Sequence, residues 1–202
     1  MKRAIPKIQY ITQDHHELSH SMQAKLAFEK GIEAVQIRMK NSSEEEVLEE
    51  ATRALQYAIM SNGTLIINDS IDIAKEIGAH ALHLGLKDTP IDEARKILGS
   101  EMIIGGTANT LDDIILQKSR GADYVGVGPF RYTTTKKKLS PIVGMEGYQR
   151  IISEMNVQRI EIPLVAVGGI LLDEIEKLQE TGMYGVAISG ALLNTLNNQT
   201  HE

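Results

Sequence analysis

Residues 64–85 read TLIINDSIDIAKEIGAHALHLG, and the fold is predicted from this stretch outward. A β-branched run, TLIIND, is followed by a segment that has the apolar spacing of a helix and then by a second apolar run, ALHLG. Gly78 stands where the helix should end, as a glycine in the left-handed conformation often does. The stretch therefore predicts a strand, a helix and a strand in succession.

The same alternation continues along the chain in both directions. Eight such apolar runs, separated by helical segments, occupy residues 8–12, 34–39, 64–69, 81–85, 102–107, 123–128, 163–169 and 184–189. This pattern predicts a parallel sheet covered by helices, which is either closed as a barrel or open and doubly wound. Eight repeats favour closure, and no GxGxxG follows the first strand. We predict an α/β fold with a single (β/α)8 TIM-barrel domain over residues 1–202.

The composition excludes several classes of protein. The chain has 202 residues, of which 42% are hydrophobic and 24% charged, and it has no cysteine that could form a disulfide or a thiolate site. No apolar run approaches the roughly 20 residues that cross a bilayer. A formal net charge of -6 argues against nucleic-acid and anionic-membrane partners. Because the N-terminus also lacks a signal-peptide pattern, we expect a cytoplasmic location.

Polar side chains are concentrated where the predicted strands end. In the second strand Gln36, Arg38 and Lys40 alternate with apolar residues, so they should share the barrel interior or its rim. Five more polar residues follow later strands, namely Asn68, Asp69, Asp88, Thr107 and Ser189. Active sites of this architecture lie at the carboxyl ends of the strands. The pattern predicts a site there, although each residue alone has a simpler explanation as a helix cap or a solvated strand end.

Phosphate-binding features follow the last three strands. Gly168-Gly169 and Ser189-Gly190 come directly before helical sequence, where backbone amides and helix N-termini favour anions. The loop over residues 129–143 contains three threonines and three consecutive lysines, which would suit a phosphorylated ligand but are also typical of a solvated loop.

A rival motif lies near the N-terminus. His16-Glu17-Leu18-Ser19-His20 fits H-E-x-x-H, which on a helix can bind zinc in a hydrolase. The motif stands between the first strand and its helix, and no signature of a third ligand accompanies it. We therefore expect His16 and His20 to lie on a loop or helix surface. His83, inside the fourth strand, is expected to be a hydrogen-bonded core residue.

Together these segments resemble the thiamine phosphate synthase family. The resemblance extends from about residue 8 to residue 193, and the Gly-Pro loop that ends in Thr-x-Thr-Lys is its most specific element. The segments that carry it are 36–40, 68–69, 83–85 with Asp88, 126–129 with 133–136, 168–170 and 185–187.

The resemblance implies a barrel transferase with two phosphorylated substrates. It implies that 4-amino-5-hydroxymethyl-2-methylpyrimidine pyrophosphate and 4-methyl-5-(2-hydroxyethyl)thiazole phosphate are joined, with release of pyrophosphate, by a dissociative reaction that uses Mg²⁺. Lys136, Arg38 and Thr107 would be catalytic. The pyrimidine pyrophosphate would be held by Gln36, Arg38, Lys40, Asn68, Thr107 and Lys136, the thiazole phosphate by Thr133, Thr135, Gly168, Ile188 and Ser189, and the metal by Asp69 and Asp88.

The chain departs from the commonest family pattern at a few positions. Leu86-Lys87 replaces Gln-Glu, Thr107 replaces serine, Asn109 replaces histidine, and Phe130-Arg131-Tyr132 replaces a more apolar run that ends in proline. Two alternatives stay open, a thiazole tautomerase and a non-catalytic phosphate-binding regulatory barrel. Retention of Asn68, the two aspartates and Lys136 favours the synthase, whereas the oligomeric state is left open.

Overall fold

The computed structural model describes residues 4–132 and 141–197, and this part of the chain forms a closed barrel of eight parallel strands. The strands are β1 (Ile8–Ile11), β2 (Ala34–Ile37), β3 (Thr64–Asn68), β4 (Ala81–Leu84), β5 (Ile103–Ala108), β6 (Tyr124–Val127), β7 (Leu164–Val167) and β8 (Gly185–Ile188). Each strand pairs with the next in the sequence, and β8 pairs with β1. The predicted (β/α)8 barrel is confirmed, and the open sheet is wrong.

A helix follows each strand and covers the outside of the barrel. The helices are α1 (His20–Glu29), α2 (Glu44–Met60), α3 (Ile71–Glu76), α4 (Ile91–Leu98), α5 (Leu111–Ser119), α6 (Gly144–Gln158), α7 (Ile175–Glu180) and α8 (Gly190–Asn197), with a 3-10 turn at Leu172–Glu174 before α7. In the described ranges no helix is both long and apolar enough to cross a membrane.

The starts of α2 and α4 are capped in different ways. Ser43 caps α2, because the Ser43 hydroxyl accepts from the Glu46 amide while Glu46 bonds back to the amide of Ser43. The alternative explanation of Asp88 as a cap of α4 is wrong, since Pro90 precedes that helix without a side-chain bond. Asp88 is consequently available to the carboxyl end of the barrel.

Alternation along the strands divides the core into two parts. In β2, Val35 and Ile37 pack against the helices, whereas Ala34 faces the barrel interior together with residues such as Ile66 and Tyr124. Because side chains two residues apart share a face, Gln36 and Arg38 continue the interior row toward the carboxyl end. The interior is therefore apolar at its centre and becomes polar where the strands end.

Candidate active site

A cavity of about 590 Å³ opens at the carboxyl ends of the strands. Its size is that of an ordinary small-molecule site. Nine of the residues predicted for the site line it, namely Gln36, Arg38, Lys40, Asn68, Asp69, Asp88, Thr107, Gly168 and Ser189. Ile188 is 2% exposed and packs in the helix-facing core, so only its backbone could face a ligand. Thr133, Thr135 and Lys136 lie outside the described residues.

The end of β2 supplies two cationic side chains to the cavity. Burial lowers the pKa of Arg38, and the charges of Asp69 and Asp14 only partly offset this effect. An arginine remains protonated at neutral pH even so. Lys40 Nζ donates a hydrogen bond to Asp69 Oδ2 at the end of the neighbouring strand β3. The positive charges of Arg38 and Lys40 therefore line one wall of the cavity, and Lys40 contacts the carboxylate of Asp69.

Asp69 and Asp88 form the acidic edge. Asp69 directly follows β3 with φ of +66°, and its amide donates to the His83 carbonyl oxygen at 2.9 Å. Asp88 Oδ2 accepts from the Gly85 amide at 2.6 Å. Burial raises the pKa of Asp69, and the neighbouring Asp88 carboxyl adds to this rise although Lys40 opposes it. Two adjacent carboxyls are a suitable donor pair for a divalent cation.

A series of hydrogen bonds connects the ends of β4, β5 and β6. His83 Nε2 lies 3.1 Å from Thr107 Oγ1, and His83 Nδ1 lies 3.1 Å from the Tyr124 hydroxyl. Burial raises the pKa of Tyr124, so its hydroxyl keeps its proton. His83 is thus hydrogen-bonded, as expected, and it also lines the cavity. These hydrogen bonds orient the hydroxyl of Thr107 at the cavity surface.

The turn after β7 requires glycines because it packs closely against the loop that follows β6. Gly168 and Gly169 have φ of +103° and +71°, and a Cβ on Gly168 would lie 2.8 Å from Pro129 Cα. Arg131 donates to the Gly169 carbonyl oxygen at 2.9 Å and pairs with Glu174. Burial alone would raise the pKa of Glu174, but hydrogen bonds from Arg131 and the Leu171 amide lower it on balance. Arg131, one of the departures from the family pattern, therefore connects the loops that follow β6 and β7.

Several lining residues were not predicted from the sequence. Gln13 follows β1 and its Oε1 accepts from the Ser189 hydroxyl at 3.1 Å, while Asn194 reaches the cavity from α8. The rule that strand ends carry the site would have found Gln13. Asn194 has no such signal, since its position depends on how α8 packs.

The H-E-x-x-H segment does not form a metal site. His16 lies before α1 with its side chain 80% exposed, whereas His20 is the first residue of α1 and is 6% exposed. The two rings do not share a helical face, and no cluster of three or more metal-binding side chains occurs in residues 4–132 and 141–197. The zinc-hydrolase interpretation is therefore not supported, and the expected surface position of His20 is wrong.

Comparison with known proteins identifies consistent relatives. A protein-family model described as thiamine monophosphate synthase matches residues 8–192. The thiamine-phosphate synthase of Bacteroides fragilis is 46% identical over 186 residues, which cover 92% of this chain and 91% of that protein. That of Phocaeicola vulgatus is 46% identical over 187 residues, covering 93% and 90%. The solved thiamine phosphate pyrophosphorylase of Pyrococcus furiosus has a TM-score of 0.80 at 29% identity and covers 93% of this chain and 87% of its own.

Proposed function

The chain belongs to the thiamine monophosphate synthase family, and we propose how the mouth of its barrel carries out the synthase reaction. It is a transferase that makes thiamine phosphate from two small-molecule substrates. The relatives described above are synthases and a pyrophosphorylase by name, so neither the tautomerase nor the non-catalytic barrel is supported. The observation that carries the proposal is the convergence of cationic, acidic and glycine-rich elements on one cavity.

The pyrimidine pyrophosphate is assigned to the wall formed by the ends of β2, β3 and β5. Arg38 and Lys40 supply positive charge, and Gln36, Asn68 and Thr107 supply polar contacts in the same cavity. The assignment includes Lys136 by resemblance alone, since it lies outside the described residues. A dianionic or trianionic diphosphate binds favourably where guanidinium and ammonium groups replace its water shell.

The thiazole phosphate is assigned to the opposite wall. Gly168 and Ser189 line the cavity there, and the start of α8 at Gly190 adds the positive end of a helix. Thr133 and Thr135 are assigned to the same ligand by resemblance, and Ile188 through its backbone. The two substrates would then meet across the cavity with their reacting atoms between the phosphate groups.

Mg²⁺ is the proposed cofactor, with Asp69 and Asp88 as its protein ligands. Two hard carboxylate donors fit this ion, which usually takes its remaining ligands from substrate phosphates and water. When bound, the ion would neutralise negative charge that develops on the leaving pyrophosphate.

The proposed reaction is dissociative, and the chain's own residues act by charge and position. The bond from carbon to pyrophosphate oxygen breaks, the pyrophosphate leaves with the electron pair, and the thiazole nitrogen then forms the new bond to carbon. Arg38 and Lys40 stabilise the charge on the departing group, so no protein nucleophile is required. The Ser189 hydroxyl donates to Gln13, which suits a binding role.

Incubation of the purified protein with both substrates and Mg²⁺ tests the function. We expect equal amounts of thiamine phosphate and pyrophosphate, with neither formed when one substrate is omitted. Binding of both substrates without turnover would contradict the proposal.

A cytoplasmic location, the lack of nucleic-acid and membrane partners, and the single-domain extent stay predictions.

A further inference from the structure

Thr12, which directly follows β1, contacts the end of β2 twice. Its amide donates to the Gln36 carbonyl oxygen at 3.0 Å, and its hydroxyl oxygen accepts from the Arg38 amide at 3.1 Å. Thr12 is fully buried, so water does not compete for these bonds. The backbone on both sides of Ile37 is therefore held by Thr12, and this backbone carries the side chains of Gln36 and Arg38 into the cavity.

His20 orients the hydroxyl of Thr12. Its Nδ1 lies 2.6 Å from Thr12 Oγ1, and its Nε2 lies 3.3 Å from Asp14 Oδ1. Because the Arg38 amide already donates to Oγ1, the hydroxyl proton can be donated to Nδ1, and Nε2 then carries the ring proton toward Asp14. Burial lowers the pKa of His20, and the carboxylates of Asp14 and Glu50 offset this only in part, which favours the neutral ring that this arrangement needs.

Asp14 extends the network to the other side of the cationic segment. Its Oδ2 accepts from Asn41 Nδ2 at 3.0 Å, and Asn41 directly follows Lys40. Thr12 and Asp14 thus contact the chain at residues 36, 38 and 41. Arg38 lies at one of these contacts, and Lys40 lies between the contacts at residues 38 and 41. Both residues are assigned to the pyrophosphate.

We propose that Thr12, His20 and Asp14 form a positioning network that holds Arg38 and Lys40 in the geometry that binds the pyrophosphate of the pyrimidine substrate. The inference rests on the proposed function. It gives the second histidine of the H-E-x-x-H segment a role that involves no metal. A displacement of a positioning group by about 1 Å can cost on the order of a hundredfold in rate, so such support has a measurable effect.

The network should act on one substrate more than on the other. Gln13 lies between Thr12 and Asp14 and reaches toward Ser189 on the thiazole side, but its backbone is held independently. The Gln13 amide donates to Gln23 Oε1 at 3.2 Å, and its carbonyl oxygen accepts from Gln23 Nε2 at 2.8 Å. Loss of the Thr12 hydroxyl therefore leaves the supports of Gln13 in place.

Substitution of Thr12 tests the network. Thr12→Val keeps the shape and removes the hydroxyl, Thr12→Ser restores the hydroxyl, and His16→Ala is the matched control because that ring is exposed. We expect Thr12→Val to raise KM for the pyrimidine pyrophosphate about tenfold, while KM for the thiazole phosphate changes less than about twofold. Thr12→Ser should bring KM for the pyrimidine pyrophosphate most of the way back to the wild-type value, and His16→Ala should resemble the wild type.

A second measurement separates this inference from the proposed function. Calorimetric titration with inorganic pyrophosphate and Mg²⁺ needs no turnover, and Thr12→Val should weaken this binding by about the same factor as it raises KM. Absence of turnover by the wild type would refute the function but leave this titration as a test of the network. Equal rises in both KM values, or a lower kcat with both KM values and the pyrophosphate affinity unchanged, would show that Thr12 has only a structural role. If Thr12→Val does not fold, Asp14→Asn, whose side chain is 60% exposed, should give the same selectivity with a smaller effect.

Discussion

Lys40 donates a hydrogen bond from its ammonium group to the carboxylate of Asp69, so a cation of the protein is paired with one of the proposed metal ligands. The side chains are 45% and 30% exposed, so both remain accessible from the mouth of the barrel. With Asp88 beside them, the three ionised groups carry a net charge of about -1 rather than the -2 of two free carboxylates. A divalent cation bound at Asp69 and Asp88 as proposed would therefore compete with Lys40.

Removal of this competition should increase metal affinity in the absence of substrate. We expect Lys40→Met to bind Mn²⁺, measured by electron paramagnetic resonance without phosphate, about three- to tenfold more tightly than the wild type. Lys87→Met removes the charge of an exposed lysine beside Asp88 and is the matched control. Unchanged or weaker Mn²⁺ binding by Lys40→Met alone would argue against the competition.

The two aspartates should affect turnover more than substrate binding. If the metal contributes about 3 to 4 kcal/mol in the transition state, Asp69→Asn or Asp88→Asn should slow the reaction roughly a hundredfold to a thousandfold at limiting Mg²⁺, with partial recovery at high Mg²⁺. Asp72→Asn, an exposed aspartate at the start of α3, is the control. Near-normal rates in both active-site variants would exclude these residues as metal ligands.

A side chain at Gly168 should impair the thiazole phosphate site. Gly168→Ala places a Cβ 2.8 Å from Pro129 Cα in a backbone with φ of +103°, so the turn must move. We expect KM for the thiazole phosphate to rise about tenfold or more. Gly99→Ala also has positive φ but an open surrounding, so it should lose about 1 kcal/mol of stability and keep its KM values. Equal kinetics in the two variants would contradict the phosphate assignment.

Burial of His20 should make stability depend on pH. Burial, opposed by Asp14 and Glu50, lowers its pKa below the ordinary 6.5, so the unfolded chain binds this proton more readily than the folded one. The stability that neutral, buried His20 contributes is fully present above about pH 6.5. It is lost as the pH falls below that value toward the lowered pKa of the folded protein. Urea unfolding at pH 5, 6 and 7 should show that the free energy of unfolding falls less steeply with decreasing pH for His20→Gln than for the wild type or His16→Ala. The same slope in all three proteins would show that His20 is not the group responsible.

The sequence alone determined the architecture and the location of the site. Alternation of β-branched runs such as residues 64–69 with helical segments led to the closed barrel, because the periodicity of apolar residues reports which face of each element is buried. All carboxyl ends of parallel strands point the same way, so polar residues that follow separate strands, such as Arg38 and Asp88, are predicted to lie at one mouth, as they do.

Only the tertiary structure decided which side chains contact one another there. Lys40 and Asp69 are 29 residues apart, and their pairing depends on the register between β2 and β3. The position of His20 was mispredicted because a motif gives spacing along the chain but not the point where α1 begins, and that point turns the ring inward onto Thr12 while His16 stays in solvent. Local patterns set the period and the ends of each element, whereas contacts between elements arise from barrel closure, which no single segment encodes.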